Sequence, residues 1–249
     1  MRRLVVLLGL LGALGIAAPA DGAVPSWFPT RLAHVGDARQ LLVVVGTGRT
    51  YATLHAYQRE PAGWREVVPA MAARIGYGGW VWAARRVQDT GTTPAGTFPL
   101  TEAFGLAADP GAELPYRRVG TGDYWVGDRR DPRTYNLWEP AAVSGRTWRT
   151  GQSERLSSFP VQYAYAVVID FNRPAPVTVV WNAAHHEFVT SRPSAVGRGS
   201  AIFLHVNGRG STAGCVSVTR AHLVGILHWL DPARHPRIVM APLAGIGRA

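Results

Sequence analysis

The feature that most constrains the fold is a succession of short apolar stretches, each closed by glycine, proline or asparagine. These stretches lie at 41–60, 163–172, 175–183, 200–207 and 236–242. The segment 63–73 is less regular and predicts short extended pieces with one helical turn. Apolar residues follow helical spacing in TRAHLVGILHWLDP, where Thr219 is a suitable N-cap and Asp231-Pro232 ends the segment. Many short strands without regular strand–helix alternation predict a mostly β sandwich or barrel-like fold with one helix after Cys215.

The N-terminus has the order of a secretory signal peptide. The chain begins with MRR, continues with an apolar run to position 18 and then reads APA. We expect residues 1–23 to be this signal, cleaved after Ala20 or Ala23, with an uncleaved membrane anchor as the alternative. A short segment, 24–39, then precedes one domain over 40–243. The mature protein is accordingly expected outside the cytoplasmic membrane, secreted or in the cell envelope.

The charge of the chain narrows its chemistry and its partners. The formal net charge is +10, and all 26 basic residues are arginine. The absence of lysine excludes Schiff-base catalysis. Because the arginines are scattered and no recognition motif is present, nucleic acid is not the expected partner. An anionic surface such as a cell wall suits a basic exported protein better.

The stretch HVNGRGSTAGCVSV contains the single cysteine of the chain, Cys215, and a histidine ten residues earlier, His205. A thiol attacks as thiolate, and a neighbouring imidazole can take its proton. Gly214 leaves room for backbone N–H groups to face a developing oxyanion, while Ser211 and Thr212 can brace the loop or touch substrate. The alternative is that the cysteine is a small buried apolar residue and the histidine is structural.

Other chemistries fit the sequence less well. The glycine-rich loop lacks the spacing and the Gly-Lys-Ser/Thr of a phosphate-binding loop, and an extended segment rather than a helix follows it. No Gly-x-Ser-x-Gly motif of a serine hydrolase is present. His185 and His186 are adjacent, so on a strand they would point to opposite faces and would not share one metal ion. We therefore expect neither metal nor cofactor.

Three segments resemble the L,D-transpeptidase (YkuD-like) catalytic domain, and they appear in the order expected for that family. The stretch from 200 to 218 is similar to its histidine and Ser/Thr-x-Gly-Cys motif. The stretch DTGTTPAGTFPL resembles its Gly-rich TP-x-G-x-F segment, and DYWVGDRRDPRTYNLW resembles a region in which Trp and Tyr-Asn recur. The matching positions are His205, Thr212, Gly214 and Cys215, and Thr93, Pro94, Gly96 and Phe98. The resemblance covers roughly residues 40 to 243.

The resemblance implies a β-rich fold and cysteine acyl transfer on peptidoglycan stem peptides, giving 3→3 cross-links or, with water as acceptor, trimmed tripeptides. Cys215 would be the nucleophile and His205 the general base and then acid. Residues around the loop would form the oxyanion hole and brace it: Ser211, Thr212, Ala213 and Gly214. Candidate substrate contacts are Asn207, Arg209, Ser217, Tyr135 and Trp125. Carbapenem-type β-lactams would be inhibitors, and the protein would be a monomer.

Two departures from the family pattern keep competing hypotheses open. Many members carry arginine two residues after the cysteine, where this chain has Ser217, and glycine directly after the histidine, where it has Val206. Serine cannot bind a substrate carboxylate as arginine can, and Arg209 or Arg220 would have to substitute. One alternative is a non-catalytic wall-binding module with the same fold. Another is a hydrolase or transferase that acts on a different peptide or amide.

Overall fold

A computed structural model of the chain describes residues 24–140 and 144–249. The predicted signal peptide, residues 1–23, lies outside the described residues. Within these two ranges no helix has both the length and the apolar character needed to cross a membrane.

The described residues form strands of 2 to 13 residues, one α-helix and several 3-10 helices. The strands are β1 Gln40–Gly46, β2 Tyr51–Glu60, β3 Gly63–Arg74, β4 Trp80–Trp82, β5 Thr93–Gly105, β6 Tyr116–Arg118, β7 Tyr124–Trp125, β8 Trp138–Glu139, β9 Glu154–Arg155, β10 Ala166–Ile169, β11 Val179–Asn182, β12 Glu187–Thr190, β13 Phe203–Val206, β14 Val216–Val218 and β15 Arg237–Pro242. The helix is α1 Arg220–Trp229. The 3-10 helices are Pro29–Arg31, Ala83–Arg85, Thr150–Gln152, Leu156–Ser158, Gln162–Ala164, Pro176–Thr178, Pro232–Arg234 and Leu243–Arg248.

Eight of the strands close into a ring. Their order is β10–β13–β14–β3–β2–β1–β15–β5, and β5 pairs back with β10. Most neighbours are antiparallel, but β1 with β15 and β13 with β14 run parallel. Strands β4 and β6 extend the sheet from β5. The prediction of a mostly β, barrel-like class with one helix after Cys215 is confirmed for the described residues.

The interior of the ring is one apolar core. All eight ring strands contribute buried side chains to it, and α1 adds Leu223, Ile226 and Leu227. The helix begins where the sequence predicts, because the Thr219 side chain accepts a hydrogen bond from the His222 N–H and caps the first turn. The helix therefore follows the cysteine strand directly and holds its far end against the core.

For 63–73 the predicted extended conformation is confirmed, but the predicted interruption and helical turn are wrong, because β3 is one continuous strand. Ala56 pairs with Val68 while Leu54 pairs with Met71, so β3 carries one extra residue around Pro69. A proline, which has no N–H for the ladder, is accommodated at such a bulge. Pro69 is therefore absorbed within the strand.

Strand alternation decides what faces outward. On β13, Leu204 and Val206 point into the ring core, so Phe203 and His205 point out. The outer face of β5, β10 and β13 is covered by a second apolar cluster that includes Trp125 of β7. The thiol of Cys215 belongs to this outer cluster. The candidate site thus lies outside the ring, under the segment that carries β7 to β9.

Candidate active site

A cavity of about 930 Å³ opens beside the outer face of β13 and β14. Seven of the predicted site residues line it: Trp125, His205, Arg209, Ser211, Thr212, Ala213 and Cys215. The cavity therefore brings together the proposed nucleophile, the proposed base and most of the loop between them.

The parallel pairing of β13 and β14 explains how the loop brings these groups together. Leu204 lies opposite Val216 and His205 opposite Ser217, which places Cys215 beside Phe203 at the start of both strands. Cys215, Phe203 and His205 consequently share one face, with the imidazole diagonal to the thiol. A parallel pair needs a connection that returns to the start of the first strand, and the glycine-rich loop makes this return.

The thiol is buried and hydrogen-bonded. Cys215 is 7% exposed. Its Sγ donates to the Ala201 carbonyl at 3.3 Å and accepts the Phe203 N–H at 3.4 Å. Burial raises the pKa of the thiol to about 12 and the Glu154 carboxylate adds to this, while the Phe203 N–H and the Arg86 charge oppose it. The resting group is therefore a neutral thiol.

The imidazole of His205 is held by its own strand. Nδ1 lies 2.8 Å from the Val206 carbonyl oxygen, so Nδ1 carries the proton and Nε2 is free to accept one. The ring is edge-on to Tyr163, with centroids 5.6 Å apart. Burial lowers the pKa of His205 to about 4. A backbone carbonyl, which leaves no trace in sequence, therefore orients the candidate base.

Thr212 ties the loop to the cysteine. Its Oγ1 accepts the Gly214 N–H at 3.1 Å and donates to the Cys215 carbonyl at 2.6 Å. The Thr212 backbone also bonds to Ile75 and Tyr77, which docks the loop on the end of β3. Because the Gly214 N–H is already engaged, the Cys215 N–H is the better candidate for oxyanion contact.

Gly214 is required by its neighbours. Its φ is +140°, and a Cβ there would lie 2.9 Å from both Arg86 Nη2 and the Thr92 carbonyl oxygen. The same close approach brings the segment that starts at Thr93 against the loop, and the Gly76 N–H donates to Thr93 Oγ1 at 2.8 Å. The two sequence segments that carry most of the family resemblance are thus packed together beside the thiol.

Tyr135 and Asn136 do not line the cavity but hold the segment 199–201 that borders it. Asn136 Oδ1 accepts both the Trp125 indole N–H at 2.8 Å and the Ala201 N–H at 3.1 Å. Its amide N–H groups reach the Phe171 and Asn172 carbonyls. Tyr135 is fully buried, and its hydroxyl accepts the Gly199 N–H. The pair fixes the 199–201 segment that presents a carbonyl to the thiol, so Tyr135 does not reach the cavity itself.

Asn136→Ala should destabilise the protein by about 2–4 kcal/mol, because buried donors and acceptors lose their partners at once. The residue also has φ 63°, a conformation that alanine disfavours. Urea unfolding monitored by tryptophan fluorescence measures the effect. Asn136→Asp keeps the acceptor and loses the donors, so its free energy of unfolding should lie between those of wild type and Asn136→Ala. A change below about 0.5 kcal/mol would contradict the bracing role.

Ser217 and Asn207 do not reach the cavity as substrate contacts. Ser217 is fully buried, and its Oγ finds no hydrogen-bond partner among the described residues. Asn207 donates its backbone N–H to the Val218 carbonyl at 2.7 Å, and its Oδ1 is likewise without a described partner. Ser217 shares the outer face with His205, but it lies between His205 of β13 and Arg74 of β3 and is buried there rather than lining the cavity.

Three residues that sequence reasoning missed also belong to the site: Arg86, Glu154 and Tyr163. Glu154 accepts a hydrogen bond from the Tyr163 hydroxyl, and burial raises the pKa of Glu154 to about 7. Arg86 is 6% exposed and bound to two backbone carbonyls. No motif marks these residues, because one arginine among 26 and a glutamate in a two-residue strand look ordinary in sequence.

The histidine pair considered for a metal lies elsewhere. His185 Nδ1 contacts the Gly145 carbonyl, and Glu187 accepts hydrogen bonds from Thr147. Among the described residues, no cluster of three or more His, Cys, Asp or Glu side chains is arranged to hold a metal ion.

Glu139, which contacts Phe188, makes the free energy of unfolding depend on pH. It is fully buried, both of its oxygens accept the Phe188 N–H, and burial raises its pKa to about 9. The native protein therefore keeps a proton that the unfolded chain releases above its ordinary pKa of 4.5. This contribution to stability is complete at low pH and is lost as pH rises toward about 9.

Glu139→Gln should remove this dependence, because the amide keeps the acceptor and never ionises. The difference in unfolding free energy between variant and wild type should grow by about 1–3 kcal/mol between pH 5 and pH 9. Urea titrations at both pH values measure it. The exposed Glu113→Gln is the matched control and should show no such slope. Parallel pH curves for wild type and Glu139→Gln would contradict the assignment.

Sequence and structure comparisons return no matching family model, curated protein or solved structure. The family resemblance therefore stays a prediction carried by the residues described above.

Proposed function

We propose that this chain is an exported cysteine acyltransferase of the L,D-transpeptidase type, with the fold of that family, acting on peptidoglycan stem peptides outside the cytoplasmic membrane. The observation that supports it is that the single cysteine and His205 line one cavity. That cavity, at about 930 Å³, has room for a peptide segment. The protein works without metal or cofactor, as a monomer.

Acylation starts from a neutral pair. Nε2 of His205 takes the proton of the Cys215 thiol as sulfur attacks the carbonyl carbon of the L,D peptide bond. The carbonyl oxygen becomes an oxyanion facing the Cys215 N–H. The carbon–nitrogen bond then breaks, and the imidazolium returns its proton to the leaving amine of D-alanine. The product is a thioester on Cys215.

The second half-reaction resolves the thioester. The amine of a second stem peptide attacks the thioester carbon and loses a proton to His205, and the sulfur leaves and is reprotonated. The result is a 3→3 cross-link, and water in place of the amine gives a trimmed tripeptide. A carbapenem would be attacked at its β-lactam carbonyl and would stay bound to sulfur as an acyl adduct.

Mass spectrometry of purified stem peptides incubated with the protein, with and without an amine acceptor, tests this function. We expect loss of D-alanine in both samples and a cross-linked dimer only with acceptor. Incubation with a carbapenem should add the inhibitor mass to the intact chain. Cleavage of other amides with no change in stem peptides would instead support a different peptide or amide substrate.

A non-catalytic wall-binding module is the second candidate. It is favoured by the state of the pair, since the thiol is hydrogen-bonded to Ala201 and Phe203 rather than to His205 among the described contacts. Such a module would bind purified peptidoglycan with unchanged affinity in Cys215→Ala and would leave every stem peptide intact. Any acceptor-dependent product removes this candidate.

A further inference from the structure

The cavity holds a buried cation beside the thiol. Arg86 is 6% exposed and precedes the segment that starts at Thr93. Its Nε donates to the Thr92 carbonyl and its Nη1 to the Arg198 carbonyl, both at 2.9 Å. No carboxylate pairs with it among the described residues, although buried guanidinium groups ordinarily have such a partner. Of its five N–H groups, three are left for something else.

The surrounding backbone is shaped to hold this side chain in place. A Cβ on Gly199 would lie 1.5 Å from Arg86 Nη1, and a Cβ on Gly214 would lie 2.9 Å from Nη2. The unbonded Nη2 therefore lies against the residue directly before Cys215. The ring of Phe171 lies 5.6 Å from the guanidinium carbon on another side. The absence of a side chain at Gly199 and at Gly214 thus leaves the space that Arg86 occupies.

We propose that the Arg86 guanidinium is the fixed cation that stabilises the thiolate of Cys215 during attack on the acyl donor. The inference rests on the proposed function in taking Cys215 as the nucleophile. Arg86 would supply a positive charge that Ser217 cannot, and from a different part of the chain. It acts on the thiol through space and positions no proton, so it is an electrostatic rather than a proton-transferring residue.

The other charges around the thiol set the pH range in which Arg86 matters. Glu154 and Tyr163 face the thiol from one side and His205 from its own sheet, while Asp89 and Tyr135 lie near Arg86. Asp89 is already paired with Arg129 at 2.8 Å. Burial raises the pKa of Glu154 to about 7, so its negative charge opposes Arg86 mainly above neutral pH. Below neutral pH, Glu154 is mostly protonated and does not oppose the charge of Arg86.

Alkylation of the single cysteine measures the thiolate directly, without any stem peptide. In intact protein, Arg86→Gln should lower the iodoacetamide rate at pH 8 roughly tenfold or more and raise the apparent thiol pKa. Glu154→Gln should change the rate in the opposite direction. The neighbouring Arg85→Gln, which removes the same charge from an exposed site, is the control and should leave the rate unchanged. An Arg86→Gln rate equal to that of Arg85→Gln would overturn the proposal.

A measurement on the wild-type fold covers the case in which Arg86→Gln does not fold. A nearby cation attracts anionic iodoacetate relative to neutral iodoacetamide. At pH 6 the ratio of the two rates should be several-fold higher in the folded protein than in the urea-unfolded chain. Arg209→Gln removes the other arginine that lines the cavity. This variant should retain most of the increase in the iodoacetate-to-iodoacetamide rate ratio. No excess in the folded protein, or its complete loss in Arg209→Gln, would refute the role of Arg86.

These measurements separate the two proposals. Charge-dependent thiol reactivity without stem-peptide turnover would overturn the acyltransferase function and leave only the stabilisation of the Cys215 thiolate by Arg86. Turnover with a thiol that is insensitive to Arg86 would do the reverse.

Discussion

Cys215→Ala is expected to abolish acyl transfer, with a rate at least about 10⁴-fold below wild type. The side chain supplies the only sulfur nucleophile of the chain, and no other group in the cavity can form the thioester. The variant should also fail to gain the mass of a carbapenem. Liquid chromatography with mass spectrometry of stem peptides and of the intact protein measures both effects in one preparation.

Cys215→Ser is the companion variant for this experiment. Its hydroxyl can keep the hydrogen bond to the Ala201 carbonyl, so the local fold is preserved while the nucleophile is weakened. Thermal melting should show both variants folded. Wild-type product levels from either variant would exclude Cys215 as nucleophile. Equal peptidoglycan binding by wild type and Cys215→Ala, with no product from either, would support the wall-binding module.

His205→Gln is expected to lower kcat by about 10²–10⁴. The glutamine amide can still donate toward the Val206 carbonyl, but it cannot take the thiol proton. Because the imidazole starts neutral, with its pKa lowered to about 4, the wild-type rate should persist to well below pH 6 before protonation removes the base. Steady-state rates from pH 4 to pH 9 measure both the loss and the profile.

The exposed His34→Gln is the matched control, and its rate should equal that of wild type. A second readout follows from linkage. His205 is neutral in the folded protein while the unfolded imidazole protonates near pH 6.5, so its contribution to stability is lost as pH falls toward 4. His205→Gln should remove this acid loss. A rate within threefold of wild type would rule out His205 as the base.

The fold class could be predicted because the strand and helix patterns are local. The apolar stretch within 200–207 and the Thr219 cap each depend on neighbouring residues, and a strand and a helix form there. The error at 63–73 has the same origin, since Pro69 signals an interruption locally while pairing with β2 absorbs it as a bulge. A proline within a strand is decided by the partner strand, which a local pattern does not contain.

The candidate pair could also be named from sequence, because one cysteine and one histidine flank a glycine-rich loop. The residues that surround and orient this pair could not be predicted from sequence. Ser217 looked available two residues after the cysteine, yet its position between β13 and β3 buries it. Tyr135 resembled a substrate contact and instead braces Gly199. Each assignment depends on which strand lies alongside, and pairing across long sequence separations has no local signature.

By itself, the sequence determined the mostly β class, the helix after the cysteine and the identity of the thiol and imidazole, because these follow from side-chain chemistry and short-range periodicity. The tertiary structure alone decided that β13 and β14 run parallel. It also decided that Arg86 and Glu154, which carry opposite charges, flank the thiol. The electrostatic environment of a buried group is set by whatever folding packs around it, and those residues come from distant parts of the chain.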